Sequence, residues 1–212
     1  MILSTALSML KFRLGSRTDA DLDTLIPIEM DQAQFEFERS GQPPWFLLTE
    51  DATAETELGE RRLPVPEDFL LETDDDALWL ISPETGEPQQ LDKGELDAST
   101  AYWGLTEGTP TGYALAGNYF HLFPTPDAVY SIRLKYYAAD AKPTVMAAGA
   151  TNLWLTYASD LLLARTGRRM AMYLRDTELA QLFAADEQTA ATRLLTEQTA
   201  RDEANRNRSK GD

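Results

Sequence analysis

A chain of 212 residues, 43 % hydrophobic and 25 % charged, has the balance of a folded soluble domain and the length for one core, with or without an inserted subdomain. It contains no cysteine and one histidine, His121, which excludes disulfides, thiol nucleophiles, thiolate metal sites and multi-histidine metal sites. The net charge of −16 is concentrated between Glu50 and Thr100, where 16 acids stand against 3 bases (Arg61, Arg62 and Lys93); such a surface repels a phosphate backbone and argues against sequence-specific DNA binding through this stretch.

The N-terminal run Met1–Leu10 is apolar and short. No basic residue precedes it and no small-residue cleavage site follows, so a secretory leader is not expected, and no stretch approaches the roughly 20 apolar residues that cross a bilayer. Leu3, Leu7, Leu10 and Leu14 at helical spacing predict a helix over residues 2–14, closed by Gly15. Thr18 or Asp19 is a candidate cap for a second helix running to about Ser40, with Pro27 inside it as a kink or a break. Ser40-Gly41-Gln42-Pro43-Pro44 is a firm stop.

A β region follows. Trp45–Thr49 has the composition of a strand, and Leu63–Leu70 is a proline-punctuated connection. Ala77–Ile81 and Gln89–Leu91 flank Pro83-Glu84-Thr85-Gly86, the residue types of a hairpin turn. Gly112–Ala116 and Tyr119–Phe123 flank Gly117-Asn118, a tight-turn pair. After Pro124-Thr125-Pro126-Asp127, the segment Val129–Tyr137 alternates, with Ile132, Leu134 and Tyr136 on one face and Ser131, Arg133 and Lys135 on the other.

Lys142-Pro143 ends the strands. Thr151 or Asn152 caps a helix from Leu153 to about Arg165, which Gly167 is expected to interrupt. A last helix is predicted from about Met170 to Asn205, with Tyr173, Leu174, Leu182, Phe183, Leu194 and Leu195 as its apolar stripe. The fold class is α+β: a helical bundle from residues 1–44 and 141–205, an inserted antiparallel β subdomain over 45–140, and a basic C-terminal tail over 206–212.

No catalytic, cofactor or metal site is expected. Asp74-Asp75-Asp76 gathers the carboxylates that hard cations prefer, but it lacks the alternating ligands, glycine and distant Glu of a calcium loop and reads as a solvated acidic turn. His121 lies between Phe120 and Leu122, with no nucleophile elbow and no supporting context at Ser131 or Ser159, and reads as a packed or lumen-facing structural histidine. Gly104, Gly108, Gly112 and Gly117 have neither the ending nor the following helix of a phosphate cradle. Trp45, Trp79, Trp103 and Trp154 fit a β core or an oligomer interface better than a carbohydrate platform. Arg201, Arg206, Arg208 and Lys210, spaced by Asn205, Asn207 and Ser209, make a basic extension on an acidic body, a candidate hook for an acidic groove on a partner.

Five stretches together resemble the head-to-tail adaptor (connector) family of tailed bacteriophages, of the tail tubular protein A and tail accessory factor type found in short-tailed phages. They are the helix Leu22–Arg39 with its exit Pro43-Pro44-Trp45-Phe46; Leu63-Pro64-Val65-Pro66-Glu67-Asp68-Phe69; the hairpin Tyr113–Phe123 before Pro124; the strand Ile132–Tyr137; and the start of the C-terminal helices, Asn152–Leu155 through Asp160–Leu163. The Asp-rich stretch over 72–76 and the basic tail have no counterpart in that pattern.

The resemblance implies a structural, non-enzymatic virion protein, made in the host bacterial cytoplasm and placed at the head–tail junction. It implies a homo-oligomeric ring, typically of twelve copies, between the portal protein and a tail or nozzle protein. C-terminal segments of such adaptors reach between portal subunits, which makes Arg201, Arg206, Arg208 and Lys210 the candidate portal contacts. DNA would pass through without specific binding, and an acidic lumen suits that passage, so Asp74, Asp75 and Asp76 are candidate channel-lining or tail-facing acids. A head- or tail-completion protein of the same region is the alternative, and a carbohydrate-binding tail-associated protein a more distant one.

Overall fold

The computed structural model describes residues 1–16, 21–73 and 76–208. Helices α1 (Leu3–Arg13) and α2 (Leu22–Glu38) lead to a 3-10 turn at Trp45–Leu47. Strands β1 (Leu48–Glu55), β2 (Arg62–Pro64), β3 (Phe69–Glu72), β4 (Leu78–Ile81), β5 (Pro88–Gln90) and β6 (Asp92–Lys93) precede helix α3 (Leu96–Trp103). Strands β7 (Glu107–Gly108), β8 (Gly112–Ala116), β9 (Tyr119–Phe123), β10 (Thr125–Pro126) and β11 (Ser131–Ala138) follow. After a 3-10 turn at Pro143–Val145 come α4 (Leu153–Tyr157), α5 (Ser159–Tyr173) and α6 (Thr177–Arg208). The class is α+β, and the chain divides into two compact units: Met1–Leu47 with Asp140–Asp212, and Leu48–Ala139.

In the helical unit, α1, α2, α4 and α6 pack on α5. Helix α5 accordingly buries Leu161, Leu162, Leu163, Ala164, Thr166, Gly167, Met170 and Ala171. The predicted stripe of α1 goes inside at Leu3, Leu10 and Leu14. Helix α2 continues through Pro27 without a break, because Leu22, Ile26, Met30 and Ala33 are all buried and hold both sides of it. Two expectations are corrected here. Gly167 does not interrupt a helix: α5 passes through it, and the break falls at residues 174–176. There Arg175 takes φ +57° and the N–H of Leu179 donates to Asp176 Oδ1 at 3.1 Å, capping α6. The predicted stripe of the last helix is also narrower than expected, since Phe183 is fully buried whereas Leu182 and Leu195 are exposed and Tyr173 belongs to α5.

One buried polar network crosses this unit. Glu38 Oε1 accepts from Gln34 Nε2 (2.8 Å), Trp154 Nε1 (3.1 Å) and the N–H of Asp140 (3.2 Å). Asn152 donates to Gln34 Oε1 (3.2 Å) and to the carbonyl of Ala141 (2.7 Å), while its Oδ1 accepts the N–H of Leu155 as the α4 cap. Burial pushes the Glu38 carboxyl above its ordinary value, against the lowering effect of its hydrogen bonds.

The second unit holds a sheet ordered β1-β11-β4-β5 with β3 also on β11, a four-stranded sheet β2-β9-β8-β6, and the pair β10-β7. The predicted alternation of β11 is observed: Ile132, Leu134 and Tyr136 enter a core with Leu63, Leu78, Leu80, Leu91, Tyr113, Phe120 and Leu122. Gly117-Asn118 joins Ala116 to its cross-strand partner Tyr119, with Gly117 at φ +59°. The pairs β6–β8 and β7–β10 are parallel and add to the antiparallel ladders; α3 lies in the crossover that returns the chain from β6 to β8 in the same direction. Strand β1 begins at Leu48 rather than Trp45, because the N–H of Leu47 bonds to the Pro44 carbonyl at 3.0 Å and turns Trp45–Leu47 into 3-10 helix.

Candidate partner-binding surfaces

Helix α6 has 32 residues, about 48 Å at 1.5 Å per residue, and its grip on the helical unit changes along that length. Near its start, Phe183 is buried beneath the Arg13 guanidinium, which lies 4.4 Å from the ring centroid and pairs with Asp186. One turn on, Glu187 accepts from Arg165 Nε at 2.8 Å and from Arg168 at 3.3 Å. Arg193 pairs with Asp160. Beyond that the helix meets an aromatic anchor. Gln198 Oε1 accepts the N–H of Trp45 at 2.8 Å, and the Arg201 guanidinium sits 3.5 Å from the Trp45 ring centroid. Tyr157 meets Trp45 edge-on at 5.0 Å, as does Phe46 at 5.7 Å.

Arg201, the first of the four predicted hook residues, is therefore stacked on the body of the unit. Arg206 and Arg208 lie in the last turns of α6, and Lys210 lies outside the described residues. The stack joins positions more than 150 residues apart, and nothing in the sequence pairs them; the one local hint is the aromatic exit after Pro43-Pro44. Arg201→Ala is expected to cost about 0.7 kcal/mol at this exposed site, speeding amide exchange about threefold in residues 198–208 without moving the unfolding midpoint. Exchange by mass spectrometry reads this, and unchanged protection would show that the stack holds nothing.

The unit Leu48–Ala139 contains 18 acids and 5 bases, a net of −13, which leaves −3 for the helical unit. Of the three predicted acids, Asp74 and Asp75 lie outside the described residues. Asp76 is fixed: its Oδ2 accepts from Lys135 Nζ at 2.7 Å, with a side chain 40 % exposed. Burial would raise its carboxyl, but hydrogen bonds from Lys135 and Thr73 outweigh that and hold it below the ordinary value. The Trp79 indole donates to the Asp76 carbonyl at 2.9 Å, so this residue is pinned at both ends.

His121 sits in β9 across from Arg62 and Ala114. Burial first, and then the charges of Arg61 and Arg62, lower its basicity, which keeps the imidazole neutral at pH 7. Trp154 is fully buried between Phe37 (5.4 Å) and Phe46 (5.2 Å), and Trp79 lies under Arg133 at 5.2 Å. Trp103 packs edge-on against the exposed Tyr102 at 5.0 Å. Among the described residues no three His, Asp or Glu side chains are grouped to hold a metal ion, and no helix is long and apolar enough to cross a membrane.

What the arrangement offers is surface: a long helix whose last residues include Arg206 and Arg208, a sequence with no acid among residues 204–211, and a strongly acidic β unit. Residues 3–210 match the family model described as SU10 adaptor protein. No curated protein matches the chain.

Proposed function

The chain belongs to the SU10 adaptor protein family, and from that premise we propose that it is a structural, non-enzymatic part of a tailed-phage virion, joining the portal protein to the tail or nozzle in the manner of short-tailed-phage adaptors. Copies form a ring, twelve in number, at the head–tail junction after synthesis in the host cytoplasm. The match over residues 3–210 carries this reading, since it spans both units rather than one.

Two physical features support the finer assignment. The anchor at Trp45 holds α6 at Gln198 and Arg201, and Arg206, Arg208 and Lys210, which follow it in sequence, are the portal-docking element. The concentration of charge in the β unit suits a channel through which DNA slides without sticking, with Asp74 and Asp75 beside the pinned Asp76 as the lining or tail-facing acids.

The test is mass photometry of the chain mixed with its portal, for the full sequence and for a variant lacking residues 205–212. That truncation leaves Gln198 and Arg201 on Trp45 and so separates docking from helix anchoring. A portal-sized particle that gains ring mass with the full chain and loses it on truncation is the expected result. A chain indifferent to portal in both forms overturns the reading.

A further inference from the structure

We propose that copies of this chain join head to tail through the β unit: a shelf made by Arg133 and Trp79 on one face of a copy receives helix α3, with Asp97, from the opposite face of the next. This rests on the ring reading above and names the contact that would build the ring.

The two faces lie on either side of one core. Leu78 and Leu80 of β4 and Ile132, Leu134 and Tyr136 of β11 point into it from one sheet, and Tyr113, Phe120 and Leu122 of β8 and β9 from the other. Side chains that alternate with these point outward. On the β4–β11 side Arg133 stands opposite Trp79, its guanidinium 5.2 Å from the ring centroid, with Thr53 of β1 on its other flank. The Trp79 indole is tied to the Asp76 carbonyl, which fixes the shelf. On the β8–β9 side Ala114 and Phe123 alternate out of the core yet are buried, because α3 packs on these strands and Arg61, lying over the Phe123 ring, donates to the Gly104 carbonyl that closes the helix. Leu96, Ser99 and Trp103 of α3 are half-buried at helical spacing, whereas Asp97, Ala101 and Tyr102 are exposed. Tyr102 and the following Leu105, at 81 % and 94 %, are the two most exposed large apolar side chains among the described residues.

Charge selects the occupant. Four of the five bases of this unit are engaged within one copy: Arg61 on Gly104 and Thr125, Arg62 on Glu60, Lys93 on Glu72 and Lys135 on Asp76. Among the described residues Arg133 has no acid partner, and its stack on Trp79 leaves the planar fork open to a carboxylate. The carboxylates of Glu95 and Asp97 likewise have no base partner among the described residues. Units carrying −13 each repel one another, so a junction between two of them needs a cation not already engaged, and Arg133 supplies it. Like faces do not pair: two shelves would set Arg133 against Arg133, and two α3 helices would set acid against acid. Unlike faces bring Asp97 to Arg133, and Tyr102 and Leu105 to Trp79 and the half-buried Ile81, the aromatic–arginine chemistry that anchors protein contacts. Such a contact is heterologous, and repeated about an axis it closes a ring.

The test is charge reversal in the full-length chain, by Arg133→Glu, by Asp97→Arg and by both together. Both positions lie outside the core, and circular dichroism with a thermal scan checks that each variant folds. Analytical ultracentrifugation of the concentrated wild type is expected to show species larger than a monomer. Each single variant should weaken that association by about tenfold or more, and the double variant, with the pair exchanged, should recover most of it. Wild-type association in either single variant overturns the inference, as does a double variant no stronger than the singles. A wild-type chain monomeric at every concentration also overturns it, while the portal-docking reading is then judged separately by the truncation of residues 205–212.

Discussion

Gly167→Ala is expected to destabilise the helical unit by about 3 kcal/mol, lowering its unfolding midpoint by about 10 °C, although alanine is the better helix former by about 1 kcal/mol. The reason is the fully buried Phe183 ring of α6. A Cβ on residue 167 falls well inside van der Waals contact of ring atoms Cε1, Cζ and Cδ1, the last at 2.6 Å. The ring has no solvent to swing into, so α6 must lift from α5 or both helices must distort. Phe183→Leu, which shortens the side chain at the contact, should recover much of the loss. A double-mutant cycle by urea unfolding reads a coupling of more than 1 kcal/mol if the clash is the cause. Gly149→Ala is the control: its φ is not left-handed and a Cβ there meets nothing within 4 Å, so it should be neutral or slightly stabilising. Equal effects at the two glycines would refute the packing explanation.

The second large effect is at Glu38. Glu38→Ala leaves the Trp154 indole, the Gln34 amide and the Asp140 N–H without their shared acceptor, at an expected cost of about 3 kcal/mol. The wild-type residue also gives the unit a pH dependence whose sign follows from burial. Folded, its carboxyl titrates above the ordinary value near 4.5; unfolded, it returns to that value. Between the two, the folded state holds a proton that the unfolded state has lost. Stability therefore falls as pH rises from 4.5 through the raised value and stays lower above it. Glu38→Gln keeps an acceptor oxygen and removes the buried charge, so this slope should vanish. Urea midpoints followed by Trp154 fluorescence from pH 4 to 8 test it, and an unchanged slope in the Gln variant would assign the pH dependence to another group.

The same two sites show what was legible in the chain and what was not. Local periodicity located α1, α2, β11 and the Gly117-Asn118 hairpin, because each is fixed by which side chains must leave water. Gly167 reads locally as a helix breaker. Its actual role is to admit a ring from a residue 16 positions away, and no local pattern encodes that approach. The true break at residues 174–176 did leave a signal, Asp176 before Thr177-Glu178, the chemistry of a helix N-cap and first turn. Helix α3 buries none of its residues, so it shows no apolar stripe to read. The parallel bridges are matters of topology that composition does not carry. Among the proposed contact residues, basic character was visible in the sequence, but the capture of Arg201 by Trp45 was not, since it depends on where a 32-residue helix happens to end its run along the bundle.

The division of the helical unit between the two ends of the chain has a consequence for how it is made. On a ribosome adding about 5–20 residues per second, α1 and α2 wait roughly ten seconds for α5, the helix their apolar sides are shaped to cover. During that interval Leu3, Leu10, Ile26 and Met30 have no lasting partner. The β unit completes first, and its closing step pairs Leu48 with Tyr137. That pairing returns the chain to where it left, so α4 and α5 emerge close to the waiting helices instead of at the end of a long free loop, whose closure would cost entropy. The β unit is in this sense a clasp, and nascent chains that fail to fasten it offer their uncovered helices to one another while still tethered to the same message.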